Sequence, residues 1–300
     1  MVLKARNVHV GTIQGGCRTL PIRRAFWSER YLVTGLALAG LLGLTAPALS
    51  AEPGCSRPIT VAAAPLGRSI MITPEGEVTG AQYDLLKRAG TDGNCVFDPV
   101  ILPWARAVAM LKDGSIDLLP GAIWSAERDE IAEFVVLDRV WPMLMSLRER
   151  RLGIDGRAVL VAGKARLGVV RGFDYGPGYR ALLSELEQQG RLDRAADAET
   201  LARELAGERI DAVLMAPMIF ADPAEKLGLG DRLELVRIDG VEPVRAGIYL
   251  SHARLDAADR ARVAESIRAA ARQAGGYLGL LRRYYPEWAL SGVEDDADLN

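Results

Sequence analysis

The chain is poor in the side chains that hold metal ions and carry out nucleophilic catalysis. Its 300 residues include three cysteines and two histidines, and its sequence contains no nucleophile elbow, phosphate-binding loop or metal-ligand spacing. Beyond residue 50 only Cys55, Cys95 and His252 remain, and they would need carboxylates to complete a closed tetrahedral site. We therefore expect no metal and no cofactor, and we expect a protein that is not an enzyme.

The sequence also lacks an apolar run of the roughly 20 residues that span a membrane comfortably. The run from Tyr31 to Leu44 is shorter, and it follows the basic residues Arg23, Arg24 and Arg30. Basic residues, a short apolar run and then small residues are the order of parts in a secretory signal peptide. We predict a signal peptide over residues 1–50; a permanent anchor is the alternative interpretation.

Small residues suited to signal peptidase follow the apolar run as Ala46-Pro-Ala-Leu-Ser-Ala51. Cleavage after Ser50 or after Ala51 fits them, and we expect the exported protein in the periplasm. Arg23-Arg24-Ala25-Phe26-Trp27 partly matches a twin-arginine signal. Export through the general secretory pathway is the alternative, because Ile22 stands where the twin-arginine signal has a polar residue.

Positive charge is scarce once the predicted signal peptide is removed. Residues 1–50 hold six of the 37 Lys and Arg and one of the 39 Asp and Glu, which leaves 31 basic and 38 acidic residues and a net charge of −7. Nucleic-acid-binding proteins carry a basic face, so we expect no nucleic acid, and nothing in this balance suggests membrane-surface binding. About 250 residues are enough for two modest lobes, and we expect a monomer.

Strands alternate with helices along the exported chain, which predicts an α/β architecture with mainly parallel sheets. The clearest segment runs from Leu102 to Asp129. It reads as a helix that ends at Asp113-Gly114, a short buried strand from Ile116 to Leu119, and a loop. Open α/β sheets bind ligands at loops that follow the carboxyl ends of their strands. Within this segment the side chains with ligand-binding chemistry are Trp104, Arg106, Trp124, Ser125 and Arg128.

The spacing of these residues resembles family 3 of the bacterial extracytoplasmic solute-binding proteins, which includes receptors for polar amino acids. The resemblance covers about residues 57 to 288 and implies the two-lobed type II periplasmic-binding-protein fold. In that fold each lobe is a mainly parallel sheet flanked by helices, and two crossings form a hinge. The resemblance implies that Arg128 clamps a ligand carboxylate and that Trp104 stacks on the ligand. Trp104 could instead be a core anchor under the sheet, and Arg128 could pair with a neighbouring acid.

The loop after the predicted strand brings further candidates. Trp124 and Ser125 stand on the loop that carries Arg128, where backbone N–H groups and a hydroxyl suit carboxylate oxygens, although Trp124 could simply pack. Arg106 could point at the ligand or at Asp113. Arg68, close after the first strand, could add a second positive contact or lie on the surface.

In the second lobe the resemblance places the site at the turn from a strand into a helix, which here contains Phe173 and Asp174. Phe173 could form an aromatic wall, and Asp174 could cap the helix or bind a ligand ammonium. Amino-acid receptors of the family carry an acid just after the strand that matches residues 211–215, whereas this chain has Ala216-Pro217. We infer a small carboxylate-bearing ligand, with amino acids one option beside organic acids.

Two cysteines in an oxidising compartment are candidates for a disulfide bond. Cys55 lies just before the first predicted strand, and Cys95 opens the second. Neighbouring parallel strands would place both cysteines at one edge of the sheet, within bridging distance. We predict a Cys55–Cys95 disulfide; two unrelated buried thiols are the alternative.

The predicted organisation has five parts: signal peptide 1–50, first lobe 51–146, second lobe 147–245, return to the first lobe 246–290, and flexible tail 291–300. A hinged pair of lobes implies capture of the small ligand for an ABC transporter, with a membrane permease as the partner. A ligand-sensing module for a membrane receptor and a periplasmic lyase are the alternatives. The lyase would need a base such as Asp174.

Overall fold

The computed structural model of the protein describes residues 54–273 and 275–295. The predicted signal peptide and its cleavage site lie outside the described residues. The described part forms strands β1 (Ile59–Ala63), β2 (Met71–Ile72), β3 (Val78–Thr79), β4 (Phe97–Ile101), β5 (Leu118–Ile123), β6 (Ala132–Val140), β7 (Met143–Leu147), β8 (Leu167–Val170), β9 (Leu192–Ala195), β10 (Ala212–Met215), β11 (Leu233–Arg237), β12 (Val244–Ser251) and β13 (Val293–Asp295). Its α-helices are α1 (Ala81–Asp92), α2 (Trp104–Lys112), α3 (Ala126–Asp129), α4 (Arg157–Ala162), α5 (Pro177–Gln188), α6 (Ala198–Ala206), α7 (Pro217–Lys226), α8 (Ala257–Arg272), α9 (Gly276–Tyr284) and α10 (Glu287–Leu290).

Six of the described strands form the sheet of the first lobe, in the order β13-β6-β12-β5-β1-β4. The central strand β1 is parallel to both β4 and β5, and four of its five residues are buried. Such a continuous apolar run is typical of a strand covered on both faces. β12 runs antiparallel to β5 and to β6, and β13 to β6, so the sheet is mixed rather than mainly parallel.

Five strands form the sheet of the second lobe, in the order β11-β7-β10-β8-β9. β8, β9 and β10 are parallel, whereas β7 is antiparallel to β10 and to β11. In both lobes the antiparallel strands adjoin the crossings, because a chain that passes between two sheets must leave one and return to it in the opposite direction. The predicted α/β fold with two sheets and two crossings is confirmed.

The crossings occupy residues 141–142 and 238–243. The first passes from β6 in the first sheet to β7 in the second, earlier than the predicted boundary between residues 146 and 147. β7 belongs to the second sheet because its five residues pair with β11 and four of them with β10. The second crossing ends before β12, close to the predicted boundary between residues 245 and 246.

The end of the chain differs from the predicted flexible tail over residues 291–300. Val293–Asp295 form β13, which pairs with residues 138–140 of β6. The backbone N–H of Trp141 also donates to the carbonyl of Gly292 at 2.7 Å. Residues 291–295 are therefore held against the first crossing, and residues 296–300 lie outside the described part.

A glycine bulge shapes the end of β5, where the candidate ligand loop begins. Ala122 pairs with Gly247 and Pro120 with Ile248, so Gly121 is an extra residue in the ladder. Its φ of 74° is a left-handed value that favours glycine, and a Cβ there would lie 2.6 Å from the Leu66 side chain. The bulge bends the end of β5 and so changes the direction in which the chain continues to Trp124 and Ser125.

The two lobes have separate hydrophobic cores that meet at α7. Two of its buried residues, Phe220 and Ala224, pack in the core of the second lobe. Met218 and Ala221, on the same helix, pack with Tyr285 and other residues of the first lobe. None of the described helices is long and apolar enough to cross a membrane.

Candidate functional site

Arg128 is positioned by a short capped helix. Ser125 is the N-cap of α3, and its Oγ accepts a hydrogen bond from the backbone N–H of Arg128. The same oxygen accepts from Arg128 Nε at 2.9 Å. Among the described residues no carboxylate lies within 4.0 Å of the Arg128 guanidinium. The side chain is therefore oriented through Nε, while its two terminal nitrogens remain available for a carboxylate.

Tyr249 supports this loop from the neighbouring strand β12. Its hydroxyl accepts a hydrogen bond from the Ser125 N–H at 2.7 Å and donates to the Ser125 carbonyl at 3.2 Å. The Arg128 guanidinium lies 5.4 Å from the centre of the Tyr249 ring, within the range of cation–π attraction. Burial raises the pKa of Tyr249, so its hydroxyl stays neutral. The sequence analysis missed Tyr249, because its role depends on strand pairing.

Trp124 contacts an arginine that the sequence analysis also missed. The Trp124 N–H donates to the carbonyl of Arg245 at 2.9 Å, and the Arg245 guanidinium lies 4.2 Å from the Trp124 ring centre. Arg245 and Tyr249 are four residues apart on β12, so alternation places them on one face of the strand. This spacing is the sequence signal that could have found them together.

Trp104 is the first residue of α2 and is 38% exposed. The buried positions of this helix are Ala107 and Leu111, so Trp104 does not serve as the core anchor under the sheet. Arg106 is exposed on the same helix. No described contact joins Trp104 or Arg106 to Arg128, so their shared pocket remains a prediction.

Asp174 closes a turn in the second lobe. Its Oδ1 accepts the Gly176 N–H at 2.9 Å, and its other oxygen pairs with Arg180. The N-cap of α5 is Gly176, which has no side chain to cap the helix. Asp174 therefore satisfies the backbone just before the helix rather than capping it, and its charge is already compensated.

The aromatic residues of the same turn pack on one another. Phe173 and Tyr175 have ring centres 6.3 Å apart, and Tyr175 and Tyr179 have ring centres 5.2 Å apart. The Tyr175 hydroxyl accepts the N–H of Ala216 at 3.1 Å, just after β10. Burial raises the pKa of Tyr175 to about 12, so a neutral hydroxyl stands beside the position where amino-acid receptors of the family carry an acid.

Arg68 is committed to the protein itself rather than to an open site. Its Nε pairs with Asp222 at 2.5 Å, one Nη pairs with Glu225, and the other donates to the carbonyl of Tyr284 at 2.8 Å. Burial alone would lower the pKa of Arg68, but the two carboxylates raise it overall. Because its charge is compensated, we leave Arg68 out of the candidate site.

The predicted disulfide is present. Cys55 and Cys95 are bonded, with Cα atoms 4.9 Å apart and a sequence separation of 40. They lie beside the neighbouring strands β1 and β4, as expected. His252 is exposed. The described residues contain no group of three or more His, Cys, Asp and Glu that could hold a metal ion.

No protein-family model and no curated protein sequence matches the chain. Solved structures do match it. A histidine kinase sensor domain with similarity to periplasmic binding proteins superimposes with a TM-score of 0.58 and 20% identity, covering 80% of this chain and 98% of that one. The chain has the fold of the type II periplasmic binding proteins. At this identity the likeness shows the fold and nothing finer.

Two other similar structures show the same periplasmic-binding-protein fold. The substrate-binding protein of a polar amino acid ABC uptake transporter from Streptococcus thermophilus has a TM-score of 0.56 and 17% identity, covering 77% of this chain and 89% of that one. The ancestral amino-acid-binding protein AncCDT-1, a precursor of cyclohexadienyl dehydratase, has a TM-score of 0.58 and 16% identity, covering 76% and 95%. Binding proteins, a sensor domain and the precursor of an enzyme thus share this architecture.

Proposed function

We propose that this protein is a periplasmic solute-binding protein that captures a small carboxylate-bearing ligand between its lobes for an ABC transporter. The observation that carries the proposal is the oriented guanidinium of Arg128, which has no carboxylate partner among the described residues. A planar guanidinium binds a carboxylate through two parallel hydrogen bonds. The fold of the substrate-binding protein from Streptococcus thermophilus supports the same proposal.

The two crossings supply a hinge for the binding cycle. A ligand that contacts both lobes stabilises the closed form through contacts that the open form lacks. Arg128, Ser125 and Trp104 would contact it from the first lobe, and the turn at residues 171–176 would contact it from the second. We propose a monomer in the periplasm with a membrane permease as its partner.

A thermal-shift screen of the exported protein against amino acids and organic acids tests this function. A ligand at 100 times its dissociation constant stabilises a one-site binder by about 2.7 kcal/mol. For the ligand so found, Arg128→Lys should weaken binding roughly 10- to 100-fold, because lysine cannot reproduce the paired geometry. Arg203→Lys, on the exposed face of α6, is the matched control. Equal affinity of Arg128→Lys and the wild type would remove Arg128 from the site.

A sensory role is the second candidate. It is favoured by the similarity to a histidine kinase sensor domain, almost all of which is covered by this chain. In that role the same ligand would bind, but closure would be reported to a membrane receptor instead of a permease. Genes for a permease and an ATPase beside this one would favour transport, and a neighbouring histidine kinase gene would favour sensing.

A periplasmic lyase is the third candidate, because AncCDT-1 is a precursor of a dehydratase. Asp174 is the candidate base for it, but both of its carboxylate oxygens are already bound, one by the Gly176 N–H and the other by Arg180. Incubation of the ligand with the protein, followed by chromatography, distinguishes a lyase from a binding protein, because a binding protein returns the ligand unchanged.

A further inference from the structure

A row of charged and aromatic side chains crosses the first sheet beside the hinge. In the register of the strands, Glu294 of β13 lies directly opposite Arg139 of β6, and Arg139 lies directly opposite Arg245 of β12. Arg245 is joined in turn to Trp124 at the end of β5 by a backbone hydrogen bond. Directly opposite residues on neighbouring strands project to the same face, so these four side chains share one face of the sheet.

Two arginine–tryptophan stacks stand at the two crossings, and they differ in one respect. Arg237, at the end of β11, lies 4.3 Å from the Trp141 ring centre. Glu294 accepts hydrogen bonds from Trp141 Nε1 at 2.7 Å and from Arg237 at 3.2 Å. This stack is neutralised by a carboxylate. The stack of Arg245 on Trp124 has no carboxylate partner among the described residues.

Arg139 increases the excess of positive charge. It stands directly opposite Arg245 on one side and Glu294 on the other, but the Glu294 carboxylate is bound by Trp141 and Arg237. Like charges on directly opposite residues destabilise a sheet. Neither arginine has an ion pair within the described part of the chain. The neighbouring acid Asp138 is buried and, by alternation, belongs to the opposite face of β6.

The Arg128 site lies on the same face. Arg245 and Tyr249 share one side of β12, and the Arg128 guanidinium lies over the Tyr249 ring. Tyr249 packs in the cluster that contains Ala107 and Leu111 of α2, so this is the face that α2 covers. Three arginines that form no ion pair with any described residue therefore stand on one face: Arg128, Arg139 and Arg245.

We propose that the ligand carries two anionic groups, one bound by Arg128 and the other by the Arg139–Arg245 pair, and that it is a short dicarboxylate in the simplest case. This inference rests on the proposed function and names its ligand class. A second anion between the two arginines would offset their mutual repulsion. The residues just after β10, Ala216 and Pro217, carry no charge, which agrees with a ligand that has no ammonium group to neutralise.

Calorimetric titration with matched ligands tests the proposal. Glutarate and valerate share a five-carbon chain but carry two carboxylates and one, and norvaline supplies the zwitterion. We expect glutarate, or a close dicarboxylate such as succinate or 2-oxoglutarate, to bind at least tenfold more tightly than the corresponding monocarboxylate. Arg245→Gln and Arg139→Gln should each weaken the dicarboxylate roughly 10- to 100-fold and leave the monocarboxylate affinity within about twofold. Arg203→Gln is the control.

The outcomes separate this inference from the proposed function. In one outcome, monocarboxylates or norvaline bind as tightly as dicarboxylates, with Arg128→Lys still weakening their binding. In that case the proposed binding function stands and the proposal of a dianionic ligand is wrong. If dicarboxylates bind but Arg245→Gln and Arg139→Gln leave their affinity unchanged, the second site is wrong. If no acid of any class binds, both proposals fall.

Discussion

Arg57 and Asp117 form a two-pronged ion pair at the amino ends of the first-lobe strands. Both terminal nitrogens of Arg57 donate to the two oxygens of Asp117 at 2.8 Å. Thr60 adds hydrogen bonds from its backbone N–H and its hydroxyl. The Asp117 side chain is fully buried. The pair therefore ties the segment that follows Cys55 to the start of β5.

Asp117→Asn should lower the free energy of unfolding at pH 7 by about 2 kcal/mol, because it removes a buried carboxylate that accepts charge-assisted hydrogen bonds from Arg57 and Arg254. Denaturant titration measures the loss. Glu127→Gln removes a carboxylate whose side chain is 74% exposed and paired with Lys112, and it should leave stability nearly unchanged. Equal losses in the two variants would contradict the structural role of Asp117.

Asp117 should also make the protein sensitive to acid. Burial alone would raise the pKa of Asp117, but the hydrogen bonds from Arg57 and Thr60 lower it from 3.8 to about 2. A depressed carboxyl pKa contributes stability above the unfolded value and loses it as the pH falls through the folded value. Wild-type stability should therefore drop by roughly 2 kcal/mol more than that of Asp117→Asn between pH 5 and pH 2. Parallel curves for the two proteins would show that another group dominates.

The disulfide should contribute strongly to stability. Its 40-residue separation corresponds to about 4 kcal/mol in the chain-entropy treatment of loop closure. The double variant Cys55→Ala/Cys95→Ala should lose stability of this order in denaturant titration, and reduction of the wild type should have a similar effect. Two free thiols per exported chain, titrated under denaturing and non-reducing conditions, would disprove the bond.

Arg68 should act as a contact between the lobes rather than as a ligand contact. Arg68→Ala should lower the free energy of unfolding by about 2 kcal/mol, since charge-assisted hydrogen bonds to Asp222, Glu225 and the Tyr284 carbonyl are lost. A double-mutant cycle with Asp222→Ala should give a coupling of about 1 kcal/mol. The exposed pair Arg272–Glu265 should give less. If Arg68→Ala changes ligand affinity but not stability, Arg68 belongs to the site after all.

Trp104 and Trp288 should respond in opposite ways to truncation. Trp104→Ala should weaken ligand binding and leave the melting temperature nearly unchanged, because its side chain is 38% exposed at the end of a helix. Trp288 packs against the cores of both lobes, so Trp288→Ala should cost about 3 kcal/mol of stability. Unchanged affinity in Trp104→Ala would remove this residue from the ligand pocket.

Local sequence pattern predicted the elements that carry the candidate site. The buried strand β1 and the helix α2 follow from runs and spacings of apolar residues, and Ser125 and Arg128 are joined through the cap of one short helix. The disulfide followed from the neighbouring positions of two strands. The predicted boundary at residue 146 was late, because the run from Phe134 to Leu147 is apolar on both sides of Trp141-Pro142 and shows no change of sheet.

Contacts between distant segments could not be read in the same way. Arg68 has its partners 154 and 157 residues away on α7, and a lone arginine in the sequence does not show whether its charge is already compensated. Asp174 looked like a helix cap, but two more residues precede α5, and its side chain reaches the Gly176 N–H instead.

The sequence by itself determined the α/β pattern and the cysteine pair, because these follow from the periodicity of apolar residues and from the positions of neighbouring strands. Only the tertiary structure decided how Arg128 is oriented and which arginines form no ion pair with any described residue. The order β13-β6-β12-β5 brings Arg139, Arg245 and Trp124 into one row across 121 residues of sequence, and the bulge at Gly121 sets its alignment. Strand order and register follow from the packing of the whole lobe, so no local pattern contains them.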